Sequence, residues 1–97
     1  PGAKVQATNA GQVTSAGWNG AYGNTVDINH GYGIVTRYGH LSEIRVREGE
    51  QVAKGHVIGI QGSTGRSTGA HVHYEVRYNN KALNPSQFLK AGHDVRS

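Results

Sequence analysis

Short runs rich in Val, Ile, Thr and Tyr recur along this chain, and Gly or Asn breaks each of them before it can lengthen. That rhythm fixes the fold class, because β-branched and aromatic residues suit a pleated, half-buried surface and tight turns must separate the strands. No window sustains the 3.6-residue period of a helix. Strands are expected at residues 4–7, 12–16, 25–29, 34–38, 44–46, 57–61 and 71–78. Turn chemistry stands between them at Asn19-Gly20, Gly23-Asn24, Gly31-Tyr32-Gly33, Glu48-Gly49-Glu50 and Lys54-Gly55. The expected fold is all-β, a small antiparallel, barrel-like sheet with one short C-terminal helix. Asn84 is a good N-cap and Pro85 suits the first helical position, so residues 84–89 read as that helix, with Phe88 and Leu89 closing the core from below.

A length of 97 residues sets one domain, expected over residues 1–90, with 91–97 as a frayed tail. The opening Pro1-Gly2-Ala3 reads as the middle of something longer. With no cysteine, any zinc site must draw on His, Asp or Glu. The net charge is +4, but the ten basic side chains are dispersed and no nucleic-acid motif accompanies them, so nucleic acid is not an expected partner. A mildly basic surface also suits an anionic polymer such as a bacterial cell wall. Nothing approaches the ~20 consecutive apolar residues that span a bilayer, so no membrane insertion is expected.

The run from Val46 to Gly59, VREGEQVAKGHVIG, resembles half of a biotinyl/lipoyl-type barrel, an architecture with a duplicated hybrid motif. Those carriers place a modifiable Lys at a hairpin tip. This chain has no such hairpin and no Met, so the likeness concerns architecture rather than a swinging arm.

The chemistry concentrates in GSTGRSTGAHVHYEVR, residues 62–77. Beyond its Gly-rich loop the pattern alternates: Val72, Tyr74, Val76 and Tyr78 fall on one strand face, and His71, His73, Glu75 and Arg77 on the other. The first face belongs to the core. The second is an ionisable row, which by alternation alone would be an ordinary solvated strand face. Two His at i and i+2 nevertheless place their Cα atoms ~6.6 Å apart on one side, where they can chelate one ion or supply one ligand and one neighbour. The loop lacks the Lys and the spacing of a phosphate-binding loop, and a strand follows it; it fits better as backbone that a peptide substrate approaches closely. A second constellation, Arg37-Tyr38-Gly39-His40-Leu41-Ser42, closes the strand at 34–38. His30 and His56 are expected to be surface or hydrogen-bonded, His93 to lie in the tail, and Asp27, alternating with Val26 and Ile28, to face outward.

STGRSTGAHVHYEVR (63–77) resembles the H-x-H signature of LytM-type, lysostaphin-like zinc endopeptidases. AGWNGAYGNTVDINHGYGIVTRYGHLSEI (16–44) resembles the central block of that family, EGEQVAKGHVIGIQGSTG (48–65) its connector and NPSQFL (84–89) its close, all in the family's order. The departures are mild: Ala70 stands where Pro is frequent, Val72 where Leu is, Tyr74 where Phe is and Gly39 where Ala is.

The resemblance implies Zn2+ as cofactor, His73 as a metal ligand, and His40 and His71 as the catalytic pair. Asn24, Tyr38, Ser67, Thr68 and Gly69 would line the substrate groove. It implies hydrolysis of peptide stems or cross-links of peptidoglycan in the cell envelope, periplasmic or extracellular. An imidazole can take and give a proton near neutral pH, which suits His40 and His71 to that work. The family's other two zinc ligands come from an upstream H-x-x-x-D segment, and no H-x-x-x-D occurs in these 97 residues. The missing segment, or another copy of the chain, is therefore an expected partner, since a sheet edge left without its neighbour invites pairing. The alternative is a non-catalytic member that binds and activates a cell-wall amidase. A sugar-transport phosphocarrier of related topology also uses two His, but does not account for the Gly-rich loop before H-x-H.

Overall fold

The sequence folds, in a computed structural model that describes residues 2–62, 73–79 and 81–83, as one curled antiparallel sheet. Its strands are β1 (Lys4–Gln6), β2 (Gly11–Trp18), β3 (Asn24–Gly31), β4 (Ile34–Ile44), β5 (Gln51–Val52), β6 (Val57–Gln61), β7 (His73–Tyr78) and β8 (Lys81–Leu83). One 3-10 turn, Gly20–Tyr22, joins β2 to β3. The all-β expectation holds. The expected C-terminal helix at 84–89 and the tail at 91–97 lie outside the described residues.

The strand order is β1-β6-β4-β3-β2-β5, with β7 also pairing β4 and β8 pairing β7. Strand β4 is the axis of this arrangement. Along one side it pairs β3 from Ile34 to Leu41. Along the other it changes partner: Ile34 to Gly39 face β7, and Leu41 to Ile44 face β6. The sequence suggested two strands here, at 34–38 and 44–46. The chain instead runs through as one, because β6 takes up the backbone groups that β7 leaves, and Arg45 and Val46 lie beyond its end. β5 and β8 were not expected; at two and three residues they are too short for an alternation to register.

The inward face carries Val26, Ile28, Tyr38, Leu41 and Ile58, each buried almost completely, with Val76 of β7 alongside. Val13 of β2 and Val46 and Val52 of the connector join the same interior. The connector is tied down by backbone bonds: Val13 N donates to Glu50 O (2.8 Å), Gly49 N to Val13 O (2.7 Å) and Gly55 N to Ala7 O (2.9 Å). The barrel likeness read from residues 46–59 thus corresponds to a connector that wraps onto β2 and the end of β1.

A candidate active site on the outward face

His40 sits where β4 changes partner. Its backbone is left-handed (φ 59), rare for a residue with a Cβ. Val26 pairs with Tyr38 and Asn24 with Leu41, so two steps on β3 face three on β4. The extra residue is a β-bulge, a device that re-aims a side chain while the flanking residues keep their phase. Tyr38 and Leu41 both stay in the core, and His40, only 6% exposed, turns toward β7. The Asn24 amide closes the bulge by donating from Nδ2 to the Leu41 carbonyl (3.1 Å).

His73 opens β7 directly opposite Gly39. A Cβ on Gly39 would stand 3.2 Å from the Tyr22 carbonyl and 3.5 Å from the His73 Cβ, so glycine lets both approach the strand. The rings of His40 and His73 meet edge to face, centroids 5.9 Å apart and planes at 85°.

Within the ionisable row of β7, Glu75 is covered while His73 stays partly exposed. Glu75, with its side chain 13% exposed, accepts from Tyr22 Oη (2.6 Å) and His73 Nε2 (2.8 Å) at Oε2, and from Arg77 Nη1 (2.9 Å) at Oε1. Burial alone would push its carboxyl up, but the bonds from Tyr22, His73 and Arg77 outweigh it and hold the group below the ordinary carboxylate value. Tyr22 is delivered by the 3-10 turn, whose Tyr22 N bonds Asn19 O (3.0 Å). Its ring lies 5.2 Å from that of His73, and the Arg37 guanidinium carbon sits 4.9 Å from its centroid.

Arg37 in turn donates from Nε and Nη2 to the two carboxylate oxygens of Asp27, both at 2.9 Å. The bond to Asp27 leads the causes that raise the guanidinium above its ordinary value, so Arg37 stays charged. Asp27 does alternate outward as its position suggests, yet it is not turned to water: it is 9% exposed, because Arg37 opposite it folds over the carboxylate.

The structure therefore brings His40 and His73 together. Asn24 supports the strand beneath them. Tyr38 lies on the other face, 2% exposed, where its hydroxyl meets Thr8 N (3.1 Å), Thr8 Oγ1 (2.9 Å) and Thr36 Oγ1 (2.8 Å). His71, Ser67, Thr68 and Gly69 lie outside the described residues. His30 is hydrogen-bonded through both ring nitrogens, to Ala10 O (2.8 Å) and Thr36 Oγ1 (2.7 Å). Sequence reasoning gave no role to Tyr22, Arg37 or Asp27. Only the paired charges at facing positions of two adjacent strands could have signalled the last two.

The fit of the implied zinc can be judged from the donors. A catalytic zinc takes three protein ligands, and among the described residues no three His, Cys, Asp or Glu converge. His73 suits one ligand place: Nε2 is taken by Glu75, Nδ1 has no partner among the described residues, and the side chain is 41% exposed. The described residues do not by themselves form a zinc site.

The described site is thus a curled antiparallel sheet with two neighbouring histidines, one on a bulge and one held by a carboxylate. The chain belongs to peptidase family M23, whose model matches residues 1–85. Among curated relatives, the DD-carboxypeptidase/endopeptidase Mpg of Neisseria meningitidis serogroup B is 50% identical over 84 residues, which is 87% of this chain and 19% of that protein. The peptidoglycan DD-endopeptidase ShyA of Vibrio cholerae is 48% identical over 62 residues, 64% of this chain and 14% of that one. The chain thus spans about a fifth of the length of such relatives. Among solved structures, the catalytic domain of the antimicrobial peptidase lysostaphin from Staphylococcus simulans superposes with TM-score 0.84 at 36% identity, covering 92% of this chain and 71% of that one. A zinc-containing peptidase from Vibrio cholerae gives TM-score 0.81 at 39% identity, covering 84% and 25%.

Proposed function

We propose that this chain is part of a zinc-dependent endopeptidase that hydrolyses peptide stems or cross-links of peptidoglycan in the cell envelope. The observation that carries the reading is the meeting of His40 and His73 on the outward face of an M23 fold. The two relatives are named for endopeptidase activity, one of them on peptidoglycan, and one solved neighbour contains zinc. His73 would hold one metal position through Nδ1, with the other ligands from sequence beyond these 97 residues. When bound, the metal supplies Lewis-acid polarisation of a peptide carbonyl. His40, buried beside His73 and fixed by the bulge, would accept or return a proton at the reacting peptide, and His71 would be the second proton carrier. The assignments of Ser67, Thr68 and Gly69 to the substrate groove remain part of this proposal, as do Asn24 and Tyr38; the last two would act by shaping the strand that carries His40.

The test is zinc stoichiometry of the full-length protein, with release of soluble peptides from purified peptidoglycan. Equimolar zinc and peptide release, both lost in His73→Ala, support the reading; zinc-loaded protein that releases nothing overturns it. The second reading is a non-catalytic member that binds and activates a cell-wall amidase; the absence of H-x-x-x-D from these 97 residues motivates it, and the intact His40, His71 and His73 weigh against it. In that case the protein would carry no zinc and would accelerate an added amidase.

A further inference from the structure

We infer that Glu75 is a positioning residue that holds His73 by Nε2 and so presents Nδ1 as the reactive ring nitrogen. The inference deepens the proposed role of His73 and rests on that reading for its functional meaning, but its structural content stands on the side-chain geometry alone.

A neutral imidazole has one N–H donor and one lone-pair acceptor, and the partner of one nitrogen decides the task of the other. The partner here is Glu75 Oε2, 2.8 Å from His73 Nε2. That oxygen also receives the Tyr22 hydroxyl at 2.6 Å, and Oε1 receives Arg77 at 2.9 Å. A carboxylate facing three donors acts as acceptor, so the proton between it and His73 belongs to Nε2 and the lone pair to Nδ1. Nδ1 has no partner among the described residues, and the 41% exposure of the side chain leaves the ring open to a ligand.

Glu75 is itself braced from three directions. Arg77 lies on its own strand, Tyr22 comes from the 3-10 turn, and Arg37, the residue facing Glu75 on β4, supports the Tyr22 ring from 4.9 Å while anchored to Asp27 on β3. A carboxylate held this way restricts rotation of the imidazole as well as its tautomer. Carboxylate–histidine pairs orient metal-ligating imidazoles in the same manner.

The experiment is nitrogen NMR of the metal-free full-length protein labelled at histidine, recorded at alkaline pH. The readouts are which ring nitrogen of His73 carries the proton and how fast that proton exchanges with water. The wild type should show an Nε2–H in slow exchange. In Glu75→Ala that exchange should be faster by about tenfold or more, the size expected for losing a hydrogen bond to a charged group. Glu75→Gln keeps a carbonyl acceptor and should restore much of the protection. A purely structural Glu75 would lower the melting temperature of both variants yet leave the His73 signal unmoved. A proton on Nδ1 in the wild type, or unchanged exchange in a folded Glu75→Ala, overturns the inference. If Glu75→Ala does not fold, the wild-type spectrum still decides the tautomer. Neither zinc nor turnover enters the measurement, so its failure is distinct from failure of the peptidase reading.

Discussion

His40 and His73, on neighbouring strands, meet edge to face at 5.9 Å because β4 gains one residue at the position where it passes from β7 to β6. Without that extra residue, alternation would send His40 toward the interior between Tyr38 and Leu41. The bulge removes the conflict, and Asn24 is the side chain that secures it.

Asn24→Ala should therefore weaken the bulge from the β3 side. Losing a hydrogen bond to the Leu41 carbonyl is expected to lower stability by about 1–2 kcal/mol. Urea unfolding checks this; an unchanged midpoint would show that the bulge does not depend on Asn24.

Asp27→Ala leaves Arg37 largely buried without the carboxylate it is hydrogen-bonded to, with Glu75 on β7 as the carboxylate that still faces it. Breaking such a pair from one side commonly costs about 3–5 kcal/mol, and the partial exposure of this one places it toward the low end. The Tyr22 ring that rests on Arg37 should loosen as well. A matching loss in the urea midpoint, with altered Tyr22 ring signals by NMR, is the expected result; an effect below about 1 kcal/mol would mean that the pair behaves as a surface bridge.

Tyr38→Phe tests whether the buried hydroxyl acts inside the fold. It removes a group shared by Thr8 and Thr36, and the stranded partners should lower stability by about 1–3 kcal/mol. Equal melting temperatures for the two proteins would refute that account.

Alkaline pH should destabilise the sheet through Tyr74. Burial raises its phenol above the ordinary value, with a smaller opposing effect from the hydrogen bond with Thr8. A raised folded-state value means that the folded protein resists ionisation. Stability from this group is complete below the unfolded value near ~10 and falls as pH climbs from there through the folded value. Tyr74→Phe should flatten that part of the melting-temperature profile, whereas parallel profiles for the two proteins would exclude Tyr74 as the cause.

Much of the fold was legible in the residues. β6 falls at Val57–Gln61 as expected, and β3 and β2 differ from expectation only at their ends. The alternation after the Gly-rich loop separated Val76, in the core, from the row of His73, Glu75 and Arg77, but Tyr78, expected on the core face, is exposed at the strand end. These readings succeeded because side-chain direction along a strand repeats every two residues, a local property. Asp27 shows where local reasoning stops: its direction was right, but its burial depends on Arg37 of another strand.

By itself the sequence determined the all-β class, most of the strands and, through its ordered motifs, the family, and it singled out the histidines of the proposed site. Only the tertiary structure decided that β4 is one strand with two partners, that His40 stands on a bulge beside His73, and that Tyr22, Arg37 and Asp27 brace Glu75 behind it. The physical reason is that a bulge and a cross-strand contact are properties of register between strands. Register is set when hydrophobic faces, turns and backbone hydrogen bonds are satisfied together, and no single segment encodes it.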